Sequence, residues 1–343
     1  MTERVLVTGG SGYFGSLLVE RLLAEGRTVR VLDLHDHGNP DVEMLRGDIR
    51  DADLVGRAVR GTTRVFHNVA QVPLARDRAL FESVNVGGTA TLLEACLAAG
   101  VDKVVHTSSS AVFGVPETNP VTTDTPPRPV EAYGRAKADA ELLCRAAVTR
   151  GLDVTVVRPR TIIGHGRLGI FGILFDWIAD GADVPVLGDG RNVYQFVHAD
   201  DLAAAILLAV ERPGSATYNI GAEEFGTMGD AVAHLCAHAD TGSRVRHLPV
   251  GPTSRAMEWS ARLGLTPFAP YHWIMYSRSL WFDVGPAKAD LGWSAAWSTD
   301  AMFRDSYAWF LEHRHDAAGG SAHRSPARQG ALRLAKRALG GGS

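Results

Sequence analysis

Within fifteen residues the chain commits to one local arrangement. Val5-Leu6-Val7-Thr8 is an apolar run suited to a buried strand, Gly9-Gly10-Ser11-Gly12-Tyr13-Phe14-Gly15 is a glycine turn, and Leu17 to Ala24 carries helical periodicity. Gly9, Gly12 and Gly15 let the backbone turn tightly and approach a ligand closely. The amides and dipole at the start of the helix then favour an anion such as a pyrophosphate.

The pattern repeats downstream. Strands are predicted at Thr28 to Asp33, Val42 to Arg46, Arg64 to His67, Lys103 to Thr107 and Val154 to Arg158. Helices alternate with them at Asp51 to Arg60, Ser83 to Ala99 and from Tyr133 to about Ala147. Such alternation implies an α/β fold: a Rossmann-type, doubly wound parallel sheet with its ligand beyond the carboxyl ends of the strands. After Arg158 the alternation stops. A helix is expected at Phe171 to Ala179, and Gln195 to Val197 and Tyr218 to Ile220 are read as strands returning to the sheet. The expected division is a dinucleotide-binding domain at 1–160 with strands returning near 195–221. Residues 161–194 and 222–312 form a smaller, mostly helical substrate lobe, and 313–343 a basic tail. In that tail Leu332, Leu334 and Leu339 sit among Arg333, Lys336 and Arg337; the tail is expected to be a mobile or loosely docked end, with weak contact to a membrane surface as the alternative. The tryptophans at helical spacing between Leu248 and Trp281 are expected to pack inward.

Composition sets the compartment and partners. A formal charge of −3 gives no reason to expect nucleic acid, and no apolar run reaches a membrane-spanning length. Cys96, Cys144 and Cys236 are scattered without a metal-binding pattern, and the strand begins too early for a signal peptide. A cytoplasmic protein without a bound metal is expected.

Two further features carry chemistry. Asp33 ends the second strand 18 residues after Gly15, placed for a ribose diol, where its charge would repel a 2′-phosphate; NAD is therefore favoured over NADP. The direction of Arg30, flanked by Val29 and Val31, stays open. Tyr133 and Lys137 lie four residues apart on one helical face. A free tyrosine titrates near pH ~10, and an adjacent ammonium favours its phenolate, making it a base for an alcohol proton.

With the glycine turn, Tyr133-x-x-x-Lys137 and Thr107-Ser108-Ser109-Ser110, the chain resembles the extended short-chain dehydrogenase/reductase family. That family includes sugar-nucleotide epimerases and dehydratases and the 3β-hydroxysteroid dehydrogenases. Further matching pieces are His67-Asn68-Val69-Ala70, Asn85-Val86-Gly87-Gly88-Thr89, Arg158-Pro159, Gly188-Asp189-Gly190, Phe196 to Leu202 and Tyr218-Asn219-Ile220-Gly221. The resemblance implies Ser109, Tyr133 and Lys137 as catalytic residues. It implies NAD held by Gly9, Gly12, Tyr13, Phe14, Gly15, Asp33, Asp48, Ile49, Val69, Ala70, Asn85, Tyr133, Lys137 and Pro159, with Asp48-Ile49 at the adenine edge and Asn85 supporting the lysine. A homodimer through the helices after strands four and five is also implied.

Related dehydratases and decarboxylases place an acid just after the catalytic hydroxyl; here Ser110 and Ala111 stand there. That leaves 4-epimerisation of a nucleotide sugar as the first expectation; the aromatic stretch from Leu248 to Trp281 is similar to that of the 3β-hydroxysteroid dehydrogenases and keeps a hydroxysteroid-like or other alcohol dehydrogenase with net NADH formation as the alternative. A non-catalytic NAD-binding scaffold would have no use for Ser109, Tyr133 and Lys137. Ser110, Thr161, Arg191, Tyr194 and Arg278 are the substrate candidates, although Thr161 replaces the family's asparagine and Tyr194-Gln195 its Arg-Asp pair. Arg160 and Arg167 complete the list of cations available for a diphosphate; taken singly, each is an ordinary surface charge.

Overall fold

The computed structural model describes residues 3–71, 78–166, 168–266, 268 and 270–314. Its strands are β1 (Arg4–Thr8), β2 (Thr28–Asp33), β3 (Glu43–Arg46), β4 (Arg64–His67), β5 (Lys103–Thr107), β6 (Val154–Pro159), β7 (Thr161–Ile163), β8 (Val184–Leu187), β9 (Phe196–His198), β10 (Ala216–Ile220) and β11 (Val245–Leu248). The helices are α1 (Tyr13–Ala24), α2 (Ala52–Val59), α3 (Arg78–Leu80), α4 (Thr89–Ala99), α5 (Ala132–Thr149), α6 (Phe171–Ala179), α7 (Ala199–Glu211), α8 (Met228–Ala239), α9 (Val250–Arg262), α10 (Pro270–Met275), α11 (Gly285–Leu291) and α12 (Thr299–His313). A π-helical segment, Phe81–Gly88, leads into α4, so the single helix expected from Ser83 is locally widened around Asn85.

The main sheet has seven parallel strands in the order β10-β6-β5-β4-β1-β2-β3. Val5, Val7, Val29, Val31 and Val105 pack on one face beneath α1 and α7. Leu6, Leu32, Val65, Val104 and Val156 pack on the other beneath α2, α4 and α5. Alternate residues of a strand in the main sheet serve opposite faces, and both faces are covered by helices, which is why β1, β2, β4, β5 and β6 are mostly buried. Strand order reverses between β1 and β4, and the crevice beyond their carboxyl ends is where such a sheet receives its ligand.

One topological expectation is corrected. β10 does return, pairing Ala216–Ile220 with Thr155–Pro159, but β9 does not. Because β10 fills the place beside β6, β9 instead pairs with β7 in a two-stranded ladder, Thr161 opposite Phe196. A second ladder joins β8 to β11. Around these ladders Phe171, Phe175, Phe196, Phe303, Tyr307 and Phe310 form the core of the smaller lobe. Inward packing fails for Trp259, which stays 63% exposed on α9 beside exposed Leu263 and Leu265, while Trp273 and Trp281 are half-buried. Its helix mixes polar and apolar residues and buries only Ala261. The tail pattern at 332–339 lies outside the described residues. No helix among the described residues is long and apolar enough to cross a membrane.

Candidate active site

The glycine turn is closed by backbone contacts that leave no room for side chains. Gly9 has φ +73°, and a Cβ there would stand 2.9 Å from Val69 N, so the loops after β1 and β4 touch. A Cβ on Gly15 would lie 2.0 Å from Gly9 O, which brings the first turn of α1 onto the turn itself. Gly12 caps α1 without any side-chain hydrogen bond, and Tyr13 and Phe14 begin the helix. These residues fit a dinucleotide: a glycine cradle, an uncapped helix start, and a carboxylate at the end of β2.

That carboxylate is Asp33. Its Oδ2 accepts from Ser11 N at 3.1 Å and its Oδ1 from His35 N at 3.0 Å, fixing it against the glycine turn. Arg30, whose direction the sequence left open, points away: its guanidinium donates to Ala58 O and Arg60 O at the end of α2 and pairs with Glu43 at 2.9 Å. No arginine from β2 therefore stands ready for a 2′-phosphate. Asp48 is bound by the Arg50 guanidinium, which holds its carboxyl below the usual range. Ile49 is buried against Gly88, where a Cβ would come within 2.5 Å of Ile49 Cγ2. Val69 and Ala70 are half-buried in the loop facing Gly9, and Pro159 closes β6 opposite Ile220.

The catalytic residues predicted from sequence converge on the carboxyl end of β5. Lys137 is buried, and its Nζ donates to Thr107 O at 2.8 Å. Thr107 Oγ1 in turn donates to Asn68 Oδ1 at 2.6 Å, beside the Val69 amide that underlies Gly9. Lys137 thus stands next to the crevice. Burial pushes its ammonium down to about 8, with Cys144 and Glu141 opposing that shift. Tyr133, half-buried, lies edge-on to Phe81 at 6.2 Å. The Glu131 carboxylate caps α5 by accepting from Tyr133 N at 2.8 Å and Gly134 N at 2.6 Å. Gly134 is required here: its Cβ would stand 2.4 Å from Ala111 O, so only glycine lets the start of α5 seat on the Ser109 turn.

Of the three serines, Ser108 and Ser110 are each 3% exposed while Ser109 is half-buried, its Oγ accepting from Ala111 N at 3.2 Å. Ser109 is the hydroxyl left nearest the surface. Ser108 serves instead in a sealed network that sequence reasoning missed. Its Oγ donates to Glu141 Oε1 at 2.6 Å, and Arg158 clamps the same carboxylate through Nε at 2.9 Å and Nη2 at 2.7 Å. This ties the Ser109 turn, α5 and β6 together. A signal existed: Glu141 continues the four-residue spacing of Tyr133 and Lys137.

Behind Lys137 lie two buried imidazoles. His67 Nδ1 meets Thr8 Oγ1 at 2.7 Å and its Nε2 meets Thr89 Oγ1 at 2.9 Å. Since Thr89 donates its own proton to Asn85 O at 2.7 Å, it accepts from Nε2–H. Burial, with Lys137 adding, lowers His67 to about 3 and His106 well below its usual value, so both stay neutral. Asn85 engages the loop after β4: its Oδ1 accepts from Gln71 N at 2.8 Å.

The substrate candidates scatter. Thr161 is half-buried, with its Oγ1 3.0 Å from the Tyr194 hydroxyl; the Tyr194 ring is only 1% exposed. Arg191 lines a recess of about 640 Å³ with Gly188, Asp189, His247, Leu248 and Pro249. Arg278 is exposed, and its carbonyl accepts from Asn192 Nδ2 at 3.4 Å, adjacent to Arg191. Arg160 is no surface charge; it is buried beside Tyr194. Arg167 lies outside the described residues.

A doubly wound sheet with this cradle, carboxylate and lysine defines a dinucleotide-dependent enzyme of the short-chain type. Residues 5–221 match the NAD dependent epimerase/dehydratase family, and the chain belongs to it; its cofactor is NAD. It is 49% identical over 344 residues to y4nG of Sinorhizobium fredii, covering 99% of this chain and 87% of that one. Identity is 36% over 240 residues to UDP-glucose 4-epimerase of Mycolicibacterium smegmatis, covering 64% of this chain and 77% of the relative. It is 30% over 346 residues to the 3 beta-hydroxysteroid dehydrogenase/Delta 5-->4-isomerase of Mycobacterium tuberculosis, covering 90% of each. Among solved structures, MoeE5 in complex with UDP-glucuronic acid and NAD superposes with a TM-score of 0.72 at 28% identity, covering 90% of this chain and 99% of that one.

Proposed function

We propose that the protein is a nucleotide-sugar 4-epimerase. Tyr133 would exchange the proton of the substrate's secondary alcohol, Ser109 hydrogen-bond the reacting oxygen, and Lys137 bind the cofactor ribose while keeping Tyr133 acidic. NAD supplies the hydride acceptor and donor. The observation that carries the reading is that, among the described residues, the two carboxylates on α5 and its cap, Glu131 and Glu141, are already engaged. Glu131 is bound to the Tyr133 and Gly134 amides, and Glu141 to Arg158 and Ser108. With Ser110 and Ala111 supplying no acid, water elimination lacks a second proton carrier, and returning the hydride to the other face of a ketone needs none. The likeness to the mycobacterial UDP-glucose 4-epimerase supports this reading. The recess bearing Arg191 supports a nucleotide end there.

A second reading, an alcohol dehydrogenase acting on a sterol-like substrate, draws support from the hydroxysteroid dehydrogenase match over 90% of the chain and from exposed Trp259, Leu263 and Leu265. One experiment separates them. Purified protein with NAD and UDP-hexoses should give a new isomer by NMR with no net change at the nicotinamide absorbance band; steady NADH accumulation with a sterol alcohol, and none of that isomer, would reject epimerisation. A cytoplasmic homodimer completes the proposal, supported by the three unpaired buried thiols and by Leu142 and Val148, exposed on α5.

A further inference from the structure

Arg160 is the first residue past β6, held at the carboxyl edge of the sheet by its backbone N–H, which donates to Ile220 O at 2.9 Å. Its side chain is buried, and Nε, Nη1 and Nη2 all lack a hydrogen-bond partner among the described residues. Other buried charges near the site are matched: Arg158 by Glu141, Lys137 by Thr107 O, Glu131 by two amides. Among the described residues the Arg160 guanidinium has two rings beside it, Tyr194 at 4.7 Å and Phe282 at 5.5 Å from their centroids. Such contacts return part of what a cation loses on leaving water, and an ion with five N–H donors is built for an oxyanion.

The neighbours say where that oxyanion would come from. Phe282 packs edge-on against Phe113 at 5.7 Å, and Phe113 belongs to the turn that begins after Ser109. The Tyr194 hydroxyl meets half-buried Thr161. One aromatic ring therefore stands between the unpaired cation and the Ser109 turn. We propose that Arg160 is the cation of an oxyanion subsite, reached when the Phe282 ring turns aside, that takes a phosphate or carboxylate oxygen of the substrate. This rests on the nucleotide-sugar reading for its expected ligand, but not for its test.

The test uses the NAD-loaded full chain, with Arg160→Met and Arg160→Lys, titrated calorimetrically with UDP-glucose, UDP-glucuronate and inorganic pyrophosphate. Arg160→Met is expected to unfold at the same or a higher temperature without any probe, because an unpaired buried charge has been removed. It should bind at least one probe ten-fold or more weakly while its NAD affinity is unchanged, with Arg160→Lys intermediate because it keeps the charge and loses the fork. Weakening of all three probes assigns the subsite to phosphate; weakening confined to UDP-glucuronate assigns it to a carboxylate. Loss of pyrophosphate binding in a protein that ignores both nucleotide sugars keeps the subsite and overturns the epimerase reading. Equal binding of all three probes by wild type and both variants, or binding of none, overturns the subsite, and a lower unfolding temperature of Arg160→Met with unchanged affinities makes Arg160 a structural cation. Should Arg160→Met fail to fold, the lysine variant alone carries the affinity comparison.

Discussion

Lys137 sets the chemistry of its neighbours by being charged where charge is costly. Its Nζ donates to Thr107 O, and burial brings its titration to about 8 against 10.5 for a free lysine. Between those two values the unfolded chain binds more protons than the folded one, so this group makes folding stability rise as pH increases from 8 toward 10.5. Activity should move the opposite way. If the ammonium is what keeps Tyr133 acidic, turnover with saturating NAD falls as pH passes about 8. A pH–rate profile and a denaturant midpoint series over the same range check both signs, and a flat rate profile to pH ~10 would remove Lys137 from this role. Tyr133→Phe deletes only the hydroxyl: turnover is expected to drop by about 10²–10⁴-fold, with NAD affinity and unfolding temperature unchanged. Asp33→Ala should weaken NAD and narrow its advantage over NADP, because the carboxylate against Ser11 N is removed while Arg30 stays committed to α2.

At the scale of elements, α5 is the part that has to be placed well. Glu131 caps it, Gly134 seats it on the Ser109 turn, and Glu141 anchors it to β6 through Arg158. Removing one member of that sealed ion pair leaves the other charge buried alone, so Glu141→Gln should cost about 3–5 kcal/mol in denaturant unfolding. The double variant Glu141→Gln/Arg158→Met should recover much of that loss. Gly134→Ala, whose new methyl meets a backbone oxygen, should lower kcat with little effect on NAD binding. Much of α5 was legible in the chain because a helix repeats every 3.6 residues, and Tyr133, Lys137 and Glu141 fall on that repeat. Glu141's partner was not, because Arg158 comes from a separate strand and only the fold brings the two together. The misplacement of β9 has a similar origin: a three-residue apolar run says strand without saying beside which neighbour, and β10 had already taken the edge. Arg160 was read as a surface charge because strand alternation ceases to predict direction once the strand has ended.

Across the whole molecule, the two parts are organised differently, and their responses to damage should differ. The sheet draws its core from strands that neighbour one another in an unbroken parallel ladder, whereas the smaller lobe is stitched from α6, β7, β9 and α12, segments distant in sequence. Phe303 on α12 is the common ring of that lobe, with Phe196 at 5.1 Å, Phe171 at 5.4 Å and Phe175 at 6.4 Å. Phe303→Ala opens a cavity among rings that cannot all move inward, at a cost of about 3–5 kcal/mol. Since those rings belong to a core separate from the one that packs β1 and α1, the loss should fall on the lobe first. Denaturant titration of the variant is expected to show substrate affinity failing at a lower concentration than NAD affinity, where the wild type loses both together. Coincident loss of the two in Phe303→Ala would mean that lobe and sheet unfold as one cooperative unit, and that α12 stabilises the dinucleotide crevice as directly as it stabilises its own core.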